Sequence, residues 1–175
     1  MTGTIISEDI DYTKAKSAAF ALATGWDSSM HSSSEDHMSC LSEMRKTAID
    51  TICKAKYADD SVYDSLEKSY INNFVRKNPD FDEIKKTIKA LAAIDTDKSV
   101  NMLFIFLQGL NQKKCNEQWS SKEEQVFPWI VHGLGITKSK SRNVWNLLLV
   151  IYRSEKYSKN ERLHAGKALK SISGK

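Results

Sequence analysis

The sequence predicts an all-α chain of stacked helix pairs, and three observations carry that expectation. Only two prolines and seven glycines interrupt 175 residues, too few breakers for a sheet rich in tight turns. Apolar residues recur three and four apart through most of the chain, the spacing of one helix face. One such pattern also returns at a fixed interval, the mark of repeat architecture.

Taken in order, residues 11–23 form the first helix, with Ala15, Ala18, Ala19 and Leu22 as its stripe. Residues 24–39 hold six serines and Gly25 and read as a loop. Residues 1–40 then form an N-terminal helix and Ser-rich cap, and residues 41–175 the repeats. Met44, Ala48, Ile52 and Ala55 share the next face. Asp60 and Ser61 cap a helix carrying Val62, Leu66, Tyr70 and Phe74. Asn78-Pro79-Asp80 ends it, because proline drives its predecessor out of the α region. Ile84, Ile88, Leu91 and Ile94 make the following stripe.

Asp97 or Ser99 caps residues 100–110, whose run Met102-Leu103-Phe104-Ile105-Phe106-Leu107 is apolar on nearly every side. Such a helix is expected at the buried centre of the stack. Residues 118–135 form a less regular helix, bent or delayed at Pro128 and stopped at Gly133-Leu134-Gly135. Ser141 caps Val144, Leu147, Leu148 and Ile151, and residues 160–172 close the chain.

The repeat is visible in three segments that begin at Met44, Glu83 and Glu161. Each places small or apolar residues at its fifth, ninth and twelfth positions. The second start lies 39 residues after the first, and the third lies twice that beyond the second. A fourth member is therefore expected at residue 122, where Val126, Ile130 and Gly133 fill the three positions. An amphipathic helix pair cannot bury both apolar faces alone, and stacking neighbouring pairs makes one continuous core.

The phrases "ERLHAGKALKSI" (161–172) and "IKKTIKALAAIDTDKSVNMLFIFL" (84–107) resemble bacterial HEAT-like repeats of the phycocyanobilin-lyase type. The resemblance covers residues 44–172. It implies an all-α, HEAT-like α-α superhelix, a right-handed solenoid of antiparallel helix pairs. It departs from the usual first helix at Ala92-Ala93 and Lys170-Ser171. It implies a scaffold for protein contacts and no lyase activity, since function lives in sites and not in folds. In such stacks the second helix of each pair lines the concave face. The expected partner-binding residues are Tyr63, Asn101, Gln108, Trp145 and Tyr152, because aromatic anchors dominate binding energy, with Arg142 and Arg153 selecting an acidic partner.

Charge is unevenly spread. Residues 1–44 carry Lys14 and Lys16 against seven acids, whereas residues 138–175 carry ten Lys and Arg against Glu155 and Glu161. The basic end is either a solvated face or a patch for an acidic partner, nucleic acid or anionic lipid. The opposite charges of the two ends also suit self-association end to end.

His31, His37 and Cys40, with Glu35 and Asp36 between, match no closed zinc spacing, so neither metal nor cofactor is expected. His132 reads as structural and His164 as a surface residue. No nucleotide-binding or zinc-protease motif is present in the sequence. Asp59-Asp60 and Glu123-Glu124 suit helix starts. Alkylated-base DNA glycosylases are also built from HEAT-like pairs and use tryptophan, aspartate and basic residues. Trp26, Trp119, Trp129 and Trp145 keep that alternative open, yet no aspartate follows Asp97. Cys40, Cys53 and Cys115 form no close pair and favour reduced thiols, hence the cytoplasm, with Cys53 as a small core residue. No run of apolar residues is long enough to span a membrane. No basic-then-apolar leader opens the chain, and an exported parent stays open. The expected function is a non-enzymatic scaffold for protein–protein interaction, with nucleic-acid binding as the alternative.

Overall fold

The computed structural model describes the backbone of residues 3–30, 35–137 and 140–174, and the side chains of residues 12–25, 39–137 and 140–174. Among the described residues every regular element is an α-helix: α1 (Gly3–Met30), α2 (Glu35–Ala55), α3 (Asp60–Phe74), α4 (Phe81–Ile94), α5 (Asp97–Cys115), α6 (Ser121–Ile136), α7 (Arg142–Arg153) and α8 (Lys159–Ser173). They group into two compact units, Met1–Ile94 and Asp95–Lys175.

Within the first unit α1 packs on α2 and α3, and α4 packs on the same two helices. The second unit repeats that scheme, with α5 and α8 each packed on α6 and α7. Alternate helices therefore form two layers in each unit. The pairs expected from sequence, α2 with α3 and α6 with α7, sit diagonally instead. The consecutive helices in close contact are α1 with α2, α3 with α4, α5 with α6, and α7 with α8.

The four segments that share the sequence pattern fall on α2, α4, α6 and α8. Their fifth and ninth positions are buried in all four: Ala48 and Ile52, Thr87 and Leu91, Val126 and Ile130, Ala165 and Leu169. Each fully buried Leu or Ile contributes about 1.5–3 kcal/mol of transfer free energy.

Side-chain caps set the helix starts. Asp59 accepts from the Val62 amide, one residue before the expected cap. Thr96 and Ser99 close a capping box on α5, Ser120 and Glu123 on α6, and Ser158 and Glu161 on α8. Ser141 accepts from Val144 on α7. Each cap is worth about 1 kcal/mol.

Four expectations are corrected. The Ser-rich stretch read as a loop is helical over 24–30, inside α1, and over 35–39, inside α2; residues 31–34 lie outside the described residues. Packing overrides the poor local propensity there. A Cβ on Gly25 would stand 2.9 Å from Arg45 Cγ and from Met44 Cε, so the bare glycine lets α1 lie against α2. Second, α5 is not buried all round, because Ile105 is 50% exposed. Third, Gly133 and Gly135 do not stop α6, which continues to Ile136. Gly135 serves contact instead, since its Cβ would meet the Ala168 backbone at 3.0 Å. Fourth, α6 begins after Ser120 and carries Pro128 inside it.

All four helices of the first unit meet at one buried polar network. Arg45 Nε donates to both Glu83 carboxylate oxygens, and Arg45 also donates to the Gly25 carbonyl at 3.4 Å. Ser69 on α3 donates to Glu83 at 2.9 Å and lies 3.3 Å from the Thr87 hydroxyl.

Candidate functional site

The seven residues expected to bind a partner are not brought together as one surface. Tyr63 is buried at 5% exposure, because α3 is covered by both α1 and α4, and it leaves the set. Gln108 and Arg142 are exposed, while Trp145 is half-buried. Asn101 lines a groove of about 180 Å³ with Asp97, Phe104, Ser141 and Asn143. Tyr152 and Arg153 do meet. They line a recess of about 430 Å³ with Lys159, Arg162 and Leu163.

The recess is built by the α7–α8 turn. Val144, Leu148 and Ile151 are the buried face of α7. Their i, i+4, i+7 spacing leaves Tyr152 and Arg153 directed outward at the end of the helix. The Ser154 amide closes the last turn on the Val150 carbonyl at 3.0 Å.

Tyr157 then anchors the connection. Its ring stacks on Phe127 and meets Trp119 edge-on, with centroids 5.6 and 6.2 Å apart. Its hydroxyl donates to Asn111 at 2.7 Å. Burial pushes the phenol above its usual range, with further push from Cys115 and Glu161.

One residue later Ser158 caps α8. The Glu161 carboxylate accepts from the Ser158 amide at 2.6 Å and pairs with Lys114 at 3.1 Å. Lys114 also sits 4.4 Å from the Trp119 ring centroid, a cation–π contact. Ala165, Ala168 and Leu169 face the core, so Lys159 and Leu163 are exposed on the outer side and Arg162 lies half-buried at the edge of the apolar face. Gly166 lets the Tyr152 ring lie against α8, since a Cβ there would stand 3.0 Å from Tyr152 Cε2.

The electrostatics of the recess are one-signed. Arg153, Lys159 and Arg162 contribute three cations, and among the described residues no carboxylate lines it. The nearest acid in sequence, Glu161, is already engaged by Lys114 and by the cap. The Arg162 Nε is enclosed and has no hydrogen-bond partner. A buried unpaired donor costs about 1–3 kcal/mol, so this guanidinium is short of an acceptor. Tyr152 and Leu163, 49% and 53% exposed, supply apolar surface beside the charges.

Lys159, Arg162 and Leu163 were missed from sequence because binding was assigned to the second helix of each pair, and α8 is a first helix. The Ser158-x-x-Glu161 box was the available signal. It fixes the start of α8, and hence which side chains point away from its apolar stripe.

Elsewhere, a groove of about 170 Å³ holds His132, His164, Lys167 and Ser171. His132 is exposed there, rather than structural. His31 and the His37 side chain lie outside the described residues, and Cys40 is exposed. Among the described residues no three His, Cys, Asp or Glu side chains cluster as a metal site. Cys53 is half-buried, and burial raises its thiol pKa. No described helix is long and apolar enough to cross a membrane.

No protein-family model matches the chain, and neither a curated protein nor a solved structure shows significant similarity to it.

Proposed function

We propose that the chain is a non-catalytic helical-repeat scaffold that binds another protein, and that the α7–α8 recess is where the partner docks. The observation that carries this reading is the recess itself: three cations and, among the described residues, no carboxylate, set beside exposed tyrosine and leucine. Charge beside an apolar anchor is what a peptide segment with acidic and apolar residues complements. The HEAT-like reading of each unit is supported by the two-layer packing of alternate helices. It is also supported by the shared burial of the repeat positions on α2, α4, α6 and α8.

The test is retention of partners by the purified chain from lysate of its parent cells, after nuclease treatment and across a salt series. Wild type is compared with Arg153→Glu/Lys159→Glu. A stoichiometric protein that survives nuclease and is lost in the variant supports the scaffold. Retention abolished by nuclease overturns it in favour of nucleic acid, whose binding falls steeply with salt.

A further inference from the structure

We infer that the recess is a phosphoryl site, reading a phosphorylated serine or threonine on a protein partner that also presents an apolar neighbour. The inference rests on the scaffold reading and adds the chemical class of the group bound. A phosphomonoester carries a charge of about −1.5 to −2 near neutral pH and three strong acceptor oxygens. A carboxylate carries one charge and two oxygens. Three cations converge on the recess, and neither Glu155 nor Glu161 lines it. One carboxylate would leave most of that charge uncompensated, whereas a dianion balances it more fully.

Arg162 adds a directional argument. Guanidinium donors form a rigid fork that matches phosphoryl oxygens two at a time. The enclosed Arg162 Nε lacks an acceptor, as does Trp119 Nε1 beside Tyr157. Ser158 and Glu161 satisfy each other through the cap, and Tyr157 donates to Asn111. Arg153 and Arg162 both line the recess, so a phosphoryl group there meets two guanidinium groups. Arg clusters are the usual device for reading phosphorylated motifs.

Two further features argue for a peptide rather than a nucleic acid backbone. Three cations share one recess. Tyr152 and Leu163 offer aliphatic and aromatic surface beside them, so a side chain flanking the phosphorylated residue has a seat. Gly166 holds that seat in shape by letting the Tyr152 ring rest on α8.

The experiment titrates the full chain with phenyl phosphate, a phosphomonoester joined to an apolar ring, and follows backbone amide shifts by NMR. Benzoate, inorganic phosphate and a twelve-nucleotide oligo-dT are titrated alongside. Saturable shifts confined to residues 150–166 are expected, with phenyl phosphate at least tenfold tighter than benzoate. Arg162→Gln should weaken it tenfold or more, and Lys159→Gln, on an exposed side chain that bears no packing, should also weaken it. Leu163→Ala should weaken phenyl phosphate while leaving inorganic phosphate unchanged. Shifts scattered over all basic residues, equal affinity for benzoate, or tighter binding of oligo-dT across a wider surface would each overturn the inference. If phenyl phosphate fails while the nuclease-resistant protein partner is still lost in Arg153→Glu/Lys159→Glu, the phosphoryl assignment falls and the scaffold reading stands.

Discussion

Arg45 and Glu83 form an ion pair closed to water, with side-chain exposures of 1% and 0% and Nε 3.1 Å from the nearer carboxylate oxygen. They lie 38 residues apart, on α2 and α4. Arg45 lies mid-way along α2, whereas Glu83 is in the first turn of α4, a place that α6 and α8 give to Glu123 and Glu161. Each of the three glutamates is buried, and each meets a cation: Arg45, Lys113 or Lys114. Three helices, α4, α6 and α8, thus carry a buried acid in the first turn, each neutralised by a cation from a neighbouring helix.

Removing one partner of the first pair strands the other. Arg45→Met should destabilise the first unit by about 3–5 kcal/mol. The double variant Arg45→Met/Glu83→Leu should recover most of that loss, because no uncompensated charge remains and Ser69 keeps Thr87 as a partner. Urea unfolding of the two variants checks this. A single variant as stable as wild type would show that the pair does not hold the helices.

Acid should loosen the second unit through Glu123. Burial alone would raise its pKa, but hydrogen bonds from Lys113, Ser120 and backbone amides outweigh that and hold it down at about 2, from an ordinary 4.5. A lowered pKa in the folded state means the unfolded chain binds the proton more readily. The stabilisation is therefore complete above the unfolded value and is lost as pH falls from about 5 towards 2. Its full size is on the order of 3 kcal/mol. Glu123→Gln should flatten the acid limb of stability against pH.

Two glycines should respond oppositely to the same change. Gly135→Ala drives a methyl into the Ala168 backbone, between α6 and α8, and should cost about 1–3 kcal/mol. Gly109→Ala adds its methyl to open space on α5 and should stabilise by about 0.5–1 kcal/mol. Thermal melts of the pair distinguish a packing glycine from an incidental one.

Helical class and the core stripes were legible because apolar spacing alone fixes which face is buried. Ala48, Ile52, Leu91, Val126, Ile130 and Leu169 follow from that rule. The helical character of residues 24–30 was not legible, since it depends on Gly25 fitting against Arg45, a contact between segments 20 residues apart. Periodicity also misjudged Ile105, because it reports apolar character and not which face the neighbours leave open. For the recess, Tyr152 and Arg153 were found through residue type. Arg162 and Lys159 were not, because convergence of two helix ends is a property of the turn between them. The buried glutamates could have been read from Ser120-x-x-Glu123 and Ser158-x-x-Glu161, a spacing that signals a helix start.

The most direct test of the account places a photo-crosslinking amino acid at Tyr152, in the recess, and separately at Ile105, equally exposed on α5 but outside it. Each variant is irradiated in the parent cells and its adducts are resolved by mass. The account predicts a discrete protein adduct from position 152 and none from position 105. Adducts that are absent at 152, or equal at both positions, would contradict the claim that the α7–α8 recess is the docking site.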